Sequence, residues 1–104
     1  MAYASPITIC HSGITNKANF DLFVDDEYVA QDLATLNSDY LTTGIPCAID
    51  IVLDTTIPCQ VKINNKTWQN FMLNTGYSIP DPRTVKSVIL SADNVKYNIT
   101  IMAE

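Results

Sequence analysis

Ile45-Pro46-Cys47-Ala48-Ile49-Asp50-Ile51-Val52-Leu53-Asp54 alternates with a period of two: Ile45, Cys47, Ile49, Ile51 and Leu53 share one face, while Pro46, Ala48, Asp50 and Asp54 take the other. Successive side chains of an extended chain point to opposite faces, so this is the pattern of a strand with one face in a core. Thr55-Thr56 then reads as a turn, after which Ile57, Cys59, Val61 and Ile63 alternate with Pro58, Gln60 and Lys62. Pro46 and Pro58 each stand near a strand start, where a missing amide is tolerated.

The same period runs on in both directions. Asn64-Asn65-Lys66 reads as a tight hairpin, because Asn accepts the positive φ of primed turns. Parity then places Trp68 and Met72 with Val61 and Ile63, and leaves Phe71 and Leu73 pointing the other way. Residues 74–83, with Gly76, Pro80 and Pro82, read as a loop. Val85 to Leu90, a turn at Ala92-Asp93-Asn94, and Val95, Tyr97, Ile99 and Ile101 read as a last hairpin. Upstream, Ile7 and Ile9 flank Thr8 in a short strand, Ser12-Gly13 reads as a turn, and Phe20, Leu22 and Val24 form another strand. Residues 27–36 fit two patterns. Val29, Leu33 and Leu36 match a helical stripe capped by Asp25 or Asp26. Alternation of Tyr28, Ala30 and Asp32 with Val29, Gln31 and Leu33 matches a strand, and the acidic turn between Phe-Val and Tyr-Val pairs favours the strand. About seven or eight short strands in one chain predict an all-β single domain spanning 1–104, a small antiparallel sandwich or jelly roll, with one short helix near 27–36 as the variant.

Composition narrows the function. Apolar residues make up 47% and charged residues 16% of the 104, with eleven Thr and nine Asn. That mix suits β-surfaces and turns rather than solvated helices. The net charge of −5 argues against nucleic acid, whose phosphates require a basic surface. The charge is divided unevenly: residues 1–54 hold eight acids against Lys17, and residues 55–104 hold five bases against three acids. Two readings follow, mutual neutralisation within the fold or self-association through complementary faces. The start Met1-Ala2-Tyr3-Ala4-Ser5-Pro6 has no signal-peptide pattern, and no apolar run reaches membrane-span length. The expectation is synthesis in a cytosol, which makes the sequons at Asn65 and Asn98 incidental.

Chemistry finds few footholds. Cys10, Cys47 and Cys59 lack metal-ligand spacing and are expected as three free thiols, two of them on core phases; a Cys47–Cys59 bridge is the alternative. A Ser–His–acid triad could use only His11, and Cys10 and His11, as strand neighbours, point to opposite faces. Paired carboxylates suit glycosidases, but a small sandwich leaves little room for a walled cleft. Asp25-Asp26-Glu27 lacks calcium-loop spacing and reads as a solvated turn. The expectation is no catalytic residues, cofactor or metal. Trp68, Phe71, Tyr77 and Tyr97 could form a sugar platform, although parity puts Trp68 and Tyr97 in the core. Phe71, Leu73 and Tyr77, off phase beside a Pro-rich loop, are the candidate protein interface, with a register-shifting bulge as the other explanation.

Val61-Lys62-Ile63-Asn64-Asn65-Lys66-Thr67-Trp68, then Leu73-Asn74-Thr75-Gly76-Tyr77-Ser78-Ile79, Val85-Lys86-Ser87-Val88-Ile89-Leu90 and Val95-Lys96-Tyr97-Asn98-Ile99 give a strand-turn cadence. Over residues 57–102 it resembles small β-sandwich virion structural proteins of tailed bacteriophages, the capsid-decoration and tail-associated kind. The resemblance implies a non-enzymatic role in the virion, packing against capsid, tail or other virion proteins with self-association, and no nucleic acid or membrane partner. The alternative is a carbohydrate- or protein-binding module.

Overall fold

The alternating segments pair antiparallel into two four-stranded sheets in the computed structural model of the chain. Residues 7–53, 58–64, 66, 69–70 and 76–103 are described, with backbone alone at 69–70 and 76–82. In order along the chain they form β1 (Ile7–Ile14), β2 (Phe20–Asp21), α1 (Glu27–Leu36), α2 (Tyr40–Thr43), β3 (Ile45–Leu53), β4 (Gln60–Ile63), β5 (Gln69–Asn70), β6 (Gly76–Val85), β7 (Val88–Leu90) and β8 (Lys96–Ala103).

Each strand of the first half pairs with one of the second: β1 with β8, β2 with β7, β3 with β6 and β4 with β5. The chain is therefore one long antiparallel ribbon, folded over so that the sheets read β1-β8-β3-β6 and β2-β7-β4-β5. This is jelly-roll topology. Register shows the continuity. Ile7 faces Ala103 and Phe20 faces Leu90, an equal advance along both arms. From there to the Ile45–Val85 pair one arm runs almost directly, while the other detours through residues 22–44 and both helices. The helical arm is an insertion in one limb of the ribbon.

The core lies between the sheets. Ile45, Cys47, Ile49, Ile51 and Leu53 of β3, with Tyr97, Ile99 and Ile101 of β8, meet Phe20, Val61, Val88 and Leu90 of the second sheet. Each buried Ile or Leu contributes about 1.5–3 kcal/mol, which makes this face the main determinant of register. Val29 and Leu33 of α1 join the same core with Phe23 and Tyr40.

Five expectations are corrected. Residues 27–36 are helix, not strand: Asp26 Oδ1 accepts from the amides of Tyr28 and Val29, the N-cap arrangement, and burial follows the Val29/Leu33 stripe. The Phe20–Val24 strand stops at Asp21, whose Oδ1 accepts from Phe23 N at 3.0 Å and turns the chain, burying Leu22 and Phe23 together and exposing Val24. Ser12-Gly13 is no turn but lies within β1.

Within 74–83, predicted as loop, residues from Gly76 onward belong to β6. β6 is the last strand of its sheet, where a missing amide costs no ladder bond, and a bulge sets Pro80-Asp81-Pro82 opposite Ala48 between the Cys47–Arg83 and Ile49–Ile79 pairs. Val85 to Leu90 is not one strand either, since the chain crosses between sheets at Lys86-Ser87. The crossing resets the parity, so Val85, Val88 and Leu90 are all buried. Thr55-Thr56, Ile57, Asn65, Trp68 and Met72 lie outside the described residues.

Candidate functional site

Asp26 is the one buried carboxylate among the described residues, and it joins three elements. Helix initiation aims its Oδ1 at the first-turn amides of α1. Its Oδ2 meets His11 Nδ1 of β1 at 2.7 Å and accepts the Tyr97 hydroxyl of β8. Burial, and then the hydrogen bond to Asp26 and its charge, push the Tyr97 phenol above its ordinary value. No buried side-chain polar atom of the described residues lacks a partner. The network fastens the helical insertion to the ribbon.

Gly13 makes room for it. Gly13 and Tyr97 are cross-strand partners, and a Cβ on Gly13 would stand 2.6 Å from the Tyr97 hydroxyl oxygen and 2.9 Å from Cζ. The phenol ring thus lies over bare backbone on its way to Asp26.

Around the network opens a shallow depression of about 370 Å³, bordered by Ile14, Asn16, Asp25, Glu27 and Tyr28 together with His11. The Tyr28 ring sits 5.1 Å from the His11 ring, and Lys17 Nζ reaches Asp25 Oδ1 at 3.2 Å. The His11–Asp26 pair has the form of a general-base dyad, but no hydroxyl or thiol of the described residues is hydrogen-bonded to His11. Both Asp26 oxygens are already engaged, and no group of three or more His, Cys, Asp or Glu among the described residues could hold a metal ion. The arrangement supports a helix-docking role. The solvated turn expected at Asp25-Asp26-Glu27 is corrected at Asp26, which is buried because it caps α1.

A second surface is the outward side of the first sheet. Thr8, Cys10, Ser12 and Ile14 of β1 alternate with the inward residues, as do Pro46, Asp50 and Val52 of β3 and Lys96, Asn98, Thr100 and Met102 of β8, while Ala48, of the same phase, is buried. Only Asp50 and Lys96 of these are charged. Ser12 Oγ accepts from Asn98 Nδ2 at 2.7 Å, the Cys10 thiol lies against Asn98 and Thr100, and Ile14, Val52 and Met102 are exposed.

Of the residues predicted for an interface, Phe71 and Leu73 lie outside the described residues, and Tyr77 is described in backbone only, within β6 facing Ile51. Tyr97 is a core residue and no platform. Cys10, Cys47 and Cys59 are free thiols, the first exposed and the others buried. No described helix is long and apolar enough to cross a membrane. The Asp26 network escaped sequence reading because its members are far apart in the chain; the legible hint was Gly13 on the inward phase of Ile9, His11 and Thr15. No family model, curated protein or solved structure matches this chain.

Proposed function

We propose that this chain is a non-enzymatic structural protein of a virion, a jelly-roll block that packs against a shell or tail protein. The observation that carries the reading is the outward face of the β1-β8-β3-β6 sheet. Among its eleven solvent-accessible described positions on β1, β8 and β3, Asp50 and Lys96 alone are charged, and the rest are apolar or small uncharged polar residues, while Ala48 of the same phase is buried. Depletion of charge with scattered exposed Ile, Val and Met is the composition of an interface centre rather than of a free surface. Jelly rolls serve as capsid and as lectin domains, so the fold supports both assembly and sugar binding by analogy alone. Burial of Tyr97 removes one residue from the sugar platform and favours assembly. The tailed-bacteriophage assignment rests on the strand-turn cadence of residues 57–102.

Gradient sedimentation of particles from the chain's native source tests the reading. The protein is expected in the particle band at many copies per particle. A chain found only at the top of the gradient, as a free 11.5 kDa species, overturns it.

A further inference from the structure

The acidic arm and the basic β6–β7 crossing meet at Asp21, which accepts from Val88 N, and at Gly44, which lies against Thr84 and Lys86, whereas the first turn of α1 lies against His11 of β1. Six acids, Asp21, Asp25, Asp26, Glu27, Asp32 and Asp39, fall between residues 21 and 39, on and beside the helical insertion. Among the described residues, Asp25 pairs with Lys17 and Asp26 with His11, and Glu27, Asp32 and Asp39 form no ion pair. Three exposed bases lie at the turn after β4 and at the β6–β7 crossing. Asn64, at positive φ in the turn after β4, accepts from Lys86 N at 2.6 Å and donates to Thr84 O at 2.9 Å. This clamps the β4 turn, with Lys66, to the β6–β7 crossing, with Arg83 and Lys86 nearby. Lys66, Arg83 and Lys86 form no ion pair among the described residues.

The acidic arm also carries apolar surface. Val24, Tyr28 and Leu41 are each at least half exposed, and Ile14 borders the same depression as Tyr28. Tyr28 and Asp32 are four residues apart on α1 and so share one helix face. An exposed tyrosine beside Glu27 and Asp32, neither of which forms an ion pair among the described residues, fits a partner that offers basic side chains, whose cations stack on the ring and pair with the carboxylates.

We infer that the helical arm of one copy docks on the Lys66–Arg83–Lys86 junction of a second copy, around Tyr28 and Asp32. Donor and acceptor surfaces differ, so the contact is heterologous and propagates as a ring or lattice. The inference rests on the assembly reading and names one partner within it. The charges steer and select, and Tyr28 with Val24 supplies the desolvated centre.

Sedimentation velocity of the purified full chain over a concentration series tests it. Association is expected at low salt and is weakened at least about tenfold at high salt. Asp32→Lys and the double variant Lys66→Glu/Lys86→Glu each weaken self-association by at least about tenfold while circular dichroism and melting stay native. An equimolar mixture of the two restores association, because the reversed arm of one fits the reversed junction of the other. A strict monomer at every concentration, or a mixture that fails to recover, overturns the contact. Particle association of wild-type chain, measured separately, is unaffected by that outcome and reports on the assembly reading alone.

Discussion

The Tyr97 hydroxyl donates to the Asp26 carboxylate across 71 residues of chain, linking the last strand to the first turn of the inserted helix. The same oxygen holds His11, and the other oxygen caps α1. One side chain therefore sets both where the helix starts and where it lies on the ribbon.

Replacing Asp26 by Ala removes a cap, worth about 1 kcal/mol, and strands the buried Tyr97 hydroxyl, worth about 1–3 kcal/mol. Denaturant unfolding should show a loss of about 2–4 kcal/mol. Tyr97→Phe, which leaves the cap and the His11 contact in place, should cost about 1 kcal/mol. Equal losses for the two would deny Asp26 its joining role.

Gly13 is held by packing. Tyr97 is fixed from the far side by Asp26, so a Cβ at Gly13 meets a ring that cannot retreat. Gly13→Ala should destabilise by about 1–3 kcal/mol in urea melts. A variant as stable as the wild type would mean that the ring is free to move.

Alkaline pH should unfold the protein through Cys47 and Tyr97. Burial pushes the Cys47 thiol from 9.0 up to about 11, and the Tyr97 phenol is raised above 10.0. Groups raised in the folded state contribute stability that is fully present below their unfolded values and is lost as pH rises through the folded ones. The Cys47 contribution is about 2–3 kcal/mol and fades between pH 9.0 and about 11. Unfolding free energy should fall over this window, and less steeply in Cys47→Ala. A flat wild-type profile would contradict the assignment.

Thiol reactivity separates the three cysteines. Cys10 is exposed and should alkylate in the native state, whereas Cys47 and Cys59 are buried and should react only on unfolding. Denaturing, non-reducing titration should count three thiols. A count of one would establish a disulfide.

The ribbon was legible where one face is buried and the strand is interior. Ile45–Leu53 and the Tyr97/Ile99/Ile101 phase follow their alternation because a shift of one residue would expose the whole set. Legibility failed where a local hydrogen bond or a sheet edge overrode the pattern. The Asp21 side chain ends β2 and the Asp26 side chain starts α1, so a hairpin-like Phe-Val…Tyr-Val signal became a turn and a helix. Pro80 and Pro82 read as loop residues because sequence does not reveal which strand lies at the edge. The site was less legible still, since His11, Asp26 and Tyr97 share no local spacing and meet only when β1 pairs with β8.

Cys10 stands on the outward face of β1, cross-strand from Thr100, which in turn faces Asp50 of β3. It therefore reports directly on whether that face is covered. The measurement is the rate of Cys10 alkylation in the free protein and in native particles, read by mass spectrometry. Packing of the sheet face against a shell or tail protein predicts a rate at least about tenfold lower in the particle, as expected when a desolvated interface excludes reagent and water. Equal rates in the two states would contradict the account.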